Sequence, residues 1–208
     1  MNNKNRRKFL KKSLFGGTVV MSPAVMSAVA TPPETEGPFY PITPQKDKDF
    51  DLTQIDGKEA SALGEVVTIR GRVVDTEGAV IEGATVDIWQ ANAAGRYNHP
   101  HDQNPAPLDP NFQGWAIVQS GKEGQFIFKT IVPGAYPVSK EWTRPPHIHF
   151  KVSKTGYDEV VTQMYFPDHE LNKTDRLLLS KSPSEQSMMI AESAKENQLT
   201  YTVVMAKI

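Results

Sequence analysis

Two histidines in RPPHIHFKV, residues 144–152, are the side chains with the clearest chemical potential. Side chains alternate between the faces of a strand, so His147 and His149 share one face while Ile148 and Phe150 share the other. The rise between the histidines is about 7 Å, which allows both imidazoles to reach one metal ion. Two polar residues on a solvated sheet face would give the same pattern, so the triplet alone leaves both interpretations open.

Several kinds of metal site contain a His-x-His pair. A cupin site needs a glutamate soon after the second histidine, but FKVSKTGYDE follows and its first acid is Asp158. A ferrous site of two histidines and one carboxylate needs a nearby acid, and the sequence has no His-x-Asp or His-x-Glu. A zinc site of three histidines could recruit His99 or His101 from YNHPHD, and this alternative stays open.

Tyrosines in two irregular segments are further oxygen donors. Tyr97 lies in a long connection rich in proline and asparagine, and Tyr136 lies in VPGAYPVSKEWTRPP, which leads into the histidines. A free phenol titrates near ~10 and binds metals poorly at neutral pH, but Fe(III) is charged enough to displace its proton. The chain has no cysteine, so nitrogen and oxygen must hold any metal. Two phenolates with two imidazoles would favour Fe(III) over Fe(II).

Short strands must position these side chains. Alternating or β-branched runs recur between turn signals rich in glycine, aspartate and proline, and they predict an all-β fold, an antiparallel β-sandwich with long active-site loops. These runs are EVVTIRGRVVD, AVIEGATVDIWQ, GQFIFKTI, HIHFKV, EVVTQMYF and LTYTVVMAKI. One short helix is expected around PSEQSMMIAESAKEN, with its methionines facing the core.

The first thirty residues have the layout of an export signal. NRRKFLKKS is basic, LFGGTVVM is apolar and AVA ends the segment with small residues. The paired arginines predict a twin-arginine-type signal peptide over residues 1–30, cleaved after Ala30, and an exported, periplasmic or secreted protein. Residues 31–64 are predicted to form an irregular N-terminal arm, and residues 65–208 the β-sandwich domain.

The charge balance limits the partners. The 208 residues contain 23 Lys and Arg and 24 Asp and Glu, and residues 1–30 hold six of the basic residues and no acid. The mature chain therefore has 17 basic and 24 acidic residues, a net charge of −7. We expect no nucleic-acid partner and no stable membrane anchor, because an acidic domain lacks the basic surface that binds either.

A family resemblance covers nearly all of residues 31–208. The ordered segments TEGPFYP, GRYNHPHDQNPAPLDPNF, TIVPGAYP, WTRPPHIHF and TQMYF resemble the intradiol ring-cleavage dioxygenases, most of all their protocatechuate branch. The resemblance implies a β-sandwich with one mononuclear non-haem Fe(III) ion. It also implies cleavage of a catechol-type aromatic, protocatechuate or catechol, by O2 to a cis,cis-muconate-type product.

The resemblance assigns roles to individual residues. Tyr97 would be the equatorial tyrosinate, and Tyr136 the axial one that leaves the metal when substrate binds, with His147 and an axial His149 completing the ligands. Arg144 would lie against the substrate ring.

Further residues are assigned by the same motifs. Gln163 matches a glutamine just behind the ligands, and the pocket wall would come from Thr35, Gly37, Pro38 and Tyr40. Catalytic chains of this branch pair with a related chain, which implies a homo-oligomer or hetero-oligomer. Two other hypotheses remain: a non-catalytic binding module with the same fold, and a zinc hydrolase on the same strands.

Overall fold

The structure is a computed structural model that describes residues 28–43, 45 and 47–208. The predicted signal peptide lies outside these residues except for its last three positions. The described residues form ten strands and one α-helix, besides two short 3-10 turns. The elements are β1 (Val66–Asp75), β2 (Thr85–Trp89), β3 (Trp115–Gln119), β4 (Gln125–Ile131), β5 (Tyr136–Ser139), β6 (Trp142–Arg144), β7 (His147–Ser153), β8 (Val160–Tyr165), α1 (Pro183–Met189), β9 (Glu192–Lys195) and β10 (Gln198–Met205).

Two four-stranded sheets make up the sandwich, and the all-β prediction is confirmed. The first sheet has the order β4-β1-β10-β9, the second has the order β3-β2-β7-β8, and β5 and β6 form a separate hairpin. Neighbouring strands are antiparallel except β1 and β10, which run parallel. The parallel pair joins the first and last strands of the domain.

Apolar side chains from both sheets fill the space between them. Ile69 and Phe128 from the first sheet, and Ile148 and Phe150 from the second, are fully buried in one cluster. The rings of Phe128 and Phe150 lie 6.0 Å apart across the interface. Ile148 and Phe150 fix the orientation of β7. Because they are buried in the core, the alternate residues His147 and His149 are turned to the other face.

The helix begins as predicted but ends earlier. Ser182 caps it, accepting a hydrogen bond from the backbone of Glu185, whose side chain in turn accepts from the Ser182 backbone N–H. The helix stops at Met189 because Ile190 is extended and bridges to Tyr165 of β8. The rest of the predicted helical stretch therefore supplies β9.

The arm contains no strand among its described residues and is bound to both sheets. The backbone N–H of Thr31 donates to Val204 of β10, and that of Glu34 donates to Val161 of β8. Further along, Leu52 is fully buried in the core. The segment around Glu34 lies along β7 and β8, since Lys151 pairs with Glu36 and Gln163 donates to Thr35 O. No helix among the described residues is long and apolar enough to cross a membrane.

Candidate metal centre

Strand β7 places both histidines on the face opposite the core. Its register pairs His149 with Trp89 of β2 on one side and with Gln163 of β8 on the other. Paired residues share a face, so these three side chains lie in one row across the sheet. The indole of Trp89 stacks on the imidazole of His149, with centroids 4.8 Å apart and ring planes within 11°. The stack fixes the direction of the imidazole.

Tyr97 and Tyr136 meet because two glycines let their loops touch. Gly134 donates its backbone N–H to Asn92 O, and a Cβ on Gly134 would lie 2.4 Å from Gly95 N. A Cβ on Gly95 would lie 2.5 Å from Ala135 O, and its φ of +78° also favours glycine. No other residue permits this approach. Each tyrosine follows its glycine by two positions, so the approach brings the two phenols together.

Four donor atoms converge at this point. Tyr97 Oη lies 3.1 Å from His149 Nε2 and 3.4 Å from His147 Nε2, and Tyr136 Oη lies 3.5 Å from His147 Nε2. Nitrogen and oxygen ligands at about 2.1 Å from a shared ion lie about 3.0 to 3.4 Å apart. The three observed separations, 3.1 to 3.5 Å, lie close to this spacing, so two imidazoles and two phenols are within reach of one ion.

The hydrogen bond of His147 suits a metal ligand. His147 Nδ1 lies 2.7 Å from Pro145 O, and since a carbonyl only accepts, Nδ1 carries the proton. Its Nε2 therefore presents a lone pair to the cluster, the arrangement that a carbonyl partner imposes on metal-binding histidines. His149 Nδ1 is buried without a hydrogen-bond partner among the described residues, so its ring is held by packing.

Burial keeps all four donors uncharged in the absence of a cation. It lowers the pKa of His147 well below the usual value, and it lowers the pKa of His149 to about 3, with the charge of Arg144 adding to both effects. Burial also raises the pKa of Tyr97 and Tyr136. Neutral imidazoles are ready to bind a metal, whereas the phenols need a strongly charged ion to ionise them.

Arg144 is held beside the cluster by a buried network. Its Nε donates to Asp175 Oδ2 at 2.7 Å, and an NH2 group donates to Gln163 Oε1 at 2.6 Å and to Tyr165 Oη at 3.0 Å. Arg144 is also the cross-strand partner of Tyr136 in the β5–β6 hairpin. The guanidinium therefore has a fixed position next to the phenol that borders the pocket.

A cavity of about 610 Å³ opens beside the donors. Thr35, Gly37 and Pro38 line it, as do Tyr136, Arg144, His149 and Gln163. Gln163 Nε2 donates to Thr35 O, which joins the arm to the network around Arg144.

Tyr40 lies elsewhere. It does not line the cavity; its hydroxyl donates to Asp87 at 2.8 Å and its ring packs edge-on against Trp89. Tyr40 therefore contacts the back of the stack on His149 rather than the substrate space.

The remaining histidines of the long loop sit apart from the donor cluster. His99 packs against Phe39 and accepts a hydrogen bond from the backbone of His101, which lines the cavity. Among the described residues, no three side chains of histidine, cysteine, aspartate or glutamate come together as a metal site. The two phenols, of Tyr97 and Tyr136, complete the donor set around His147 and His149.

The sequence is similar to known dioxygenases. The family model described as "Dioxygenase" matches residues 35–206. The protocatechuate 3,4-dioxygenase beta chain of Burkholderia cepacia is 38% identical over 176 residues, covering 74% of this chain and 74% of that protein. The chain belongs to the intradiol ring-cleavage dioxygenase family. Membership of this dioxygenase family implies a non-haem iron cofactor.

Solved structures of the intradiol dioxygenases share the fold. The dioxygenase domain of a carbohydrate-binding fusion from Streptomyces sp. SirexAA-E has a TM-score of 0.64 and 27% identity, covering 86% of this chain and 100% of that one. The 3-chlorocatechol 1,2-dioxygenase of Rhodococcus opacus 1CP has a TM-score of 0.67 and 24% identity, covering 89% and 75%. The chain spans only 50% of the hydroxyquinol 1,2-dioxygenase of a Rhizobium strain.

Sequence reasoning missed two side chains that support the dioxygenase site. Asp175 is fully buried and pairs with Arg144, yet its segment TDRLLLS has no local sign of such a partner. Trp89 stacks on His149, and its position at the end of an apolar strand predicts only core packing. The glycines before Tyr97 and Tyr136 were the available signal for the convergence of the two loops.

Proposed function

We propose that this chain is an intradiol dioxygenase that uses one mononuclear Fe(III) ion to cleave a catechol-type aromatic between its hydroxyls. The convergence of Tyr97, Tyr136, His147 and His149 beside an open cavity is the observation that carries the proposal. A binding module of the same fold has no use for a buried set of four metal donors.

The donor set suits ferric iron. Two neutral imidazoles and two ionised phenols would offset two of the three positive charges, which favours the ferric over the ferrous ion. When bound, the ion supplies Lewis acidity that draws electron density from the diol and its ring. Burial of the donors strengthens this attraction, since few waters compete with them.

Tyr136 is the phenol placed to exchange a proton with substrate. It lines the cavity, whereas Tyr97 is only 3% exposed and lies behind it. A substrate hydroxyl that enters from the cavity therefore meets Tyr136 Oη first. The phenolate of Tyr136 can accept the proton of that hydroxyl. Burial raises the pKa of Tyr136, so the neutral phenol keeps that proton once it has formed.

Arg144 contributes charge without moving. Asp175, Gln163 and Tyr165 hold its guanidinium in place before substrate arrives, so no reorganisation is required during the reaction. Its positive charge lies at the end of the cavity where the diol binds and stabilises negative charge on the ring. Gln163 acts by holding both Arg144 and the arm at Thr35.

Other observations support proposals about location and assembly. We propose that the twin-arginine-type segment directs export to the periplasm or beyond, supported by the order of its basic, apolar and small residues. We further propose assembly into a homo-oligomer or with a related chain, supported by the similarity to a protein named as a beta chain.

Oxygen uptake with product analysis tests the proposed activity. The iron-loaded protein should consume one O2 per catechol, and with 18O2 both labelled atoms should appear in a cis,cis-muconate-type diacid. The His147→Ala variant is the control, because it removes a donor and should retain no iron. Protein that holds a full complement of ferric iron yet consumes no O2 with any catechol would contradict the proposal.

A further inference from the structure

We propose that the cavity selects catechols without a charged ring substituent and rejects those with a ring carboxylate, such as protocatechuate. This inference rests on the proposed function and narrows its substrate class. Three features carry it: the position of the donor cluster, the charges that line the cavity, and the apolar residues in the rest of the lining.

The position of the donor cluster determines how a catechol is oriented in the cavity. Tyr136, His149 and Arg144 lie together where the metal donors border the cavity. The two hydroxyls of a catechol must bind there to reach the ion. The opposite edge of the ring, with any substituent at its third or fourth carbon, then points toward the remaining walls.

Arg144 is the only lysine or arginine among the described lining residues, and it is already paired. Arg144 forms a buried salt bridge of 2.7 Å with Asp175, which is fully buried. It also sits at the hydroxyl end, as the cross-strand partner of Tyr136. Arg144 is therefore committed to the diol end of the cavity and cannot also neutralise a group at the far edge of the ring.

Asp102 adds an opposing charge. It lines the cavity, and its carboxylate accepts the backbone N–H groups of Tyr97 and Asn104 without a salt bridge to any described cation. A ring carboxylate would enter a cavity whose lining already includes this anion. Removing a carboxylate from water without a cationic partner is strongly unfavourable, and a like charge nearby makes it more so.

Apolar residues form part of the lining away from the donors. They are Pro105, Pro137, Val138, Trp142 and Leu177, while His101, Gln103 and Asn104 also line the cavity. An alkyl substituent would bury its surface against these residues, which favours binding. The exposed Arg176 places its guanidinium 5.5 Å from the Trp142 ring but does not itself line the cavity. The cavity is thus suited to an uncharged, apolar substituent.

Steady-state kinetics and binding on the iron-loaded protein test this selectivity. The kcat/KM for 4-methylcatechol should equal or exceed that for catechol, and the value for protocatechuate should be lower by about tenfold or more. Anaerobic titration, followed by the visible absorption, should give dissociation constants in the same order. Equal or higher kcat/KM and affinity for protocatechuate would overturn the inference.

A charge-inserting variant tests the cause. Val138 of β5 lines the cavity and is 52% exposed, which leaves room for a longer side chain. Val138→Lys should raise the protocatechuate-to-catechol ratio of kcat/KM by about tenfold, since it supplies the missing cation. The uncharged Val138→Met is the matched control and should leave the ratio low.

The outcomes separate the two proposals. An unchanged ratio in Val138→Lys, at normal iron content, would refute the electrostatic account of selectivity while leaving ring cleavage intact. Absence of O2 uptake with every catechol would instead refute the proposed function itself.

Discussion

Replacing Asp175 should lower the stability of the domain and also remove one of the contacts that hold the Arg144 guanidinium in place. The carboxylate accepts Arg144 Nε at 2.7 Å through one oxygen, and the backbone N–H groups of Leu177 and Leu178 at 2.9 Å through the other. Asp175→Asn keeps an oxygen for the two backbone groups but removes the charge. Arg144 is then a buried cation without its anion.

The size of the effect follows from this burial. Side-chain exposure is 5% for Arg144 and 0% for Asp175, so solvent screens the pair very little. Breaking a buried pair by removing one partner typically costs about 3 to 5 kcal/mol, out of about 5 to 15 kcal/mol for a whole domain. With a urea m-value of about 2 kcal/mol/M, the midpoint of unfolding should fall by about 2 M.

A double-mutant cycle measured by urea unfolding at matched iron content tests the coupling. Arg144→Met removes the buried cation, so the double variant with Asp175→Asn should lose less stability than the sum of the two single losses, by about 1.5 kcal/mol or more. The single Asp175→Asn variant should also show a lower kcat with iron retained. Additive losses, or a single variant with unchanged kcat and stability, would refute the assigned role of the pair.

Three further variants test other parts of the structure. His147→Ala should abolish iron retention measured by metal analysis, and full iron content would contradict its role as a ligand. Gly37→Ala should weaken iron retention because its Cβ would lie 3.4 Å from His149 Cε1 at a φ of +76°, whereas Gly57→Ala has a similar φ of +79° and no neighbour and should not. Ser182→Ala should lower stability by about 1 kcal/mol in urea unfolding without changing O2 uptake, because it removes only the helix cap.

The strands could be predicted from the sequence because their side-chain pattern is local. Alternation in VVTIRGRVVD reflects which face is buried. HIHFKVS alternates polar and apolar residues although His147 and His149 are buried too, and the structure has strands at both places. The β5–β6 hairpin could not be predicted in this way, since Pro137 interrupts a short and mostly exposed segment. Strand β9 lies in the second half of PSEQSMMIAESAKEN, which has a helix-like pattern. Pairing with β10 overrides that local preference.

The candidate ligands could be named from the sequence, but the residues that hold them and Arg144 in place could not. Motifs mark Tyr97, Tyr136 and the two histidines of β7, whereas the pairing of Arg144 with Asp175 joins residues 31 positions apart. Such a contact depends on how β6 meets the turn after β8, which no local pattern encodes. The position of Tyr40 has the same cause, since the path of the arm decides that its hydroxyl reaches Asp87.

The visible spectrum of the iron-loaded protein tests the central claim most directly. Phenolate bound to Fe(III) gives broad charge-transfer absorption, so the wild-type protein should be wine-red. Tyr97→Phe and Tyr136→Phe should each shift or weaken this band, since each removes one of the two phenolates. A wild-type protein that holds one ferric ion per chain and remains colourless would contradict the assignment of both tyrosines as ligands.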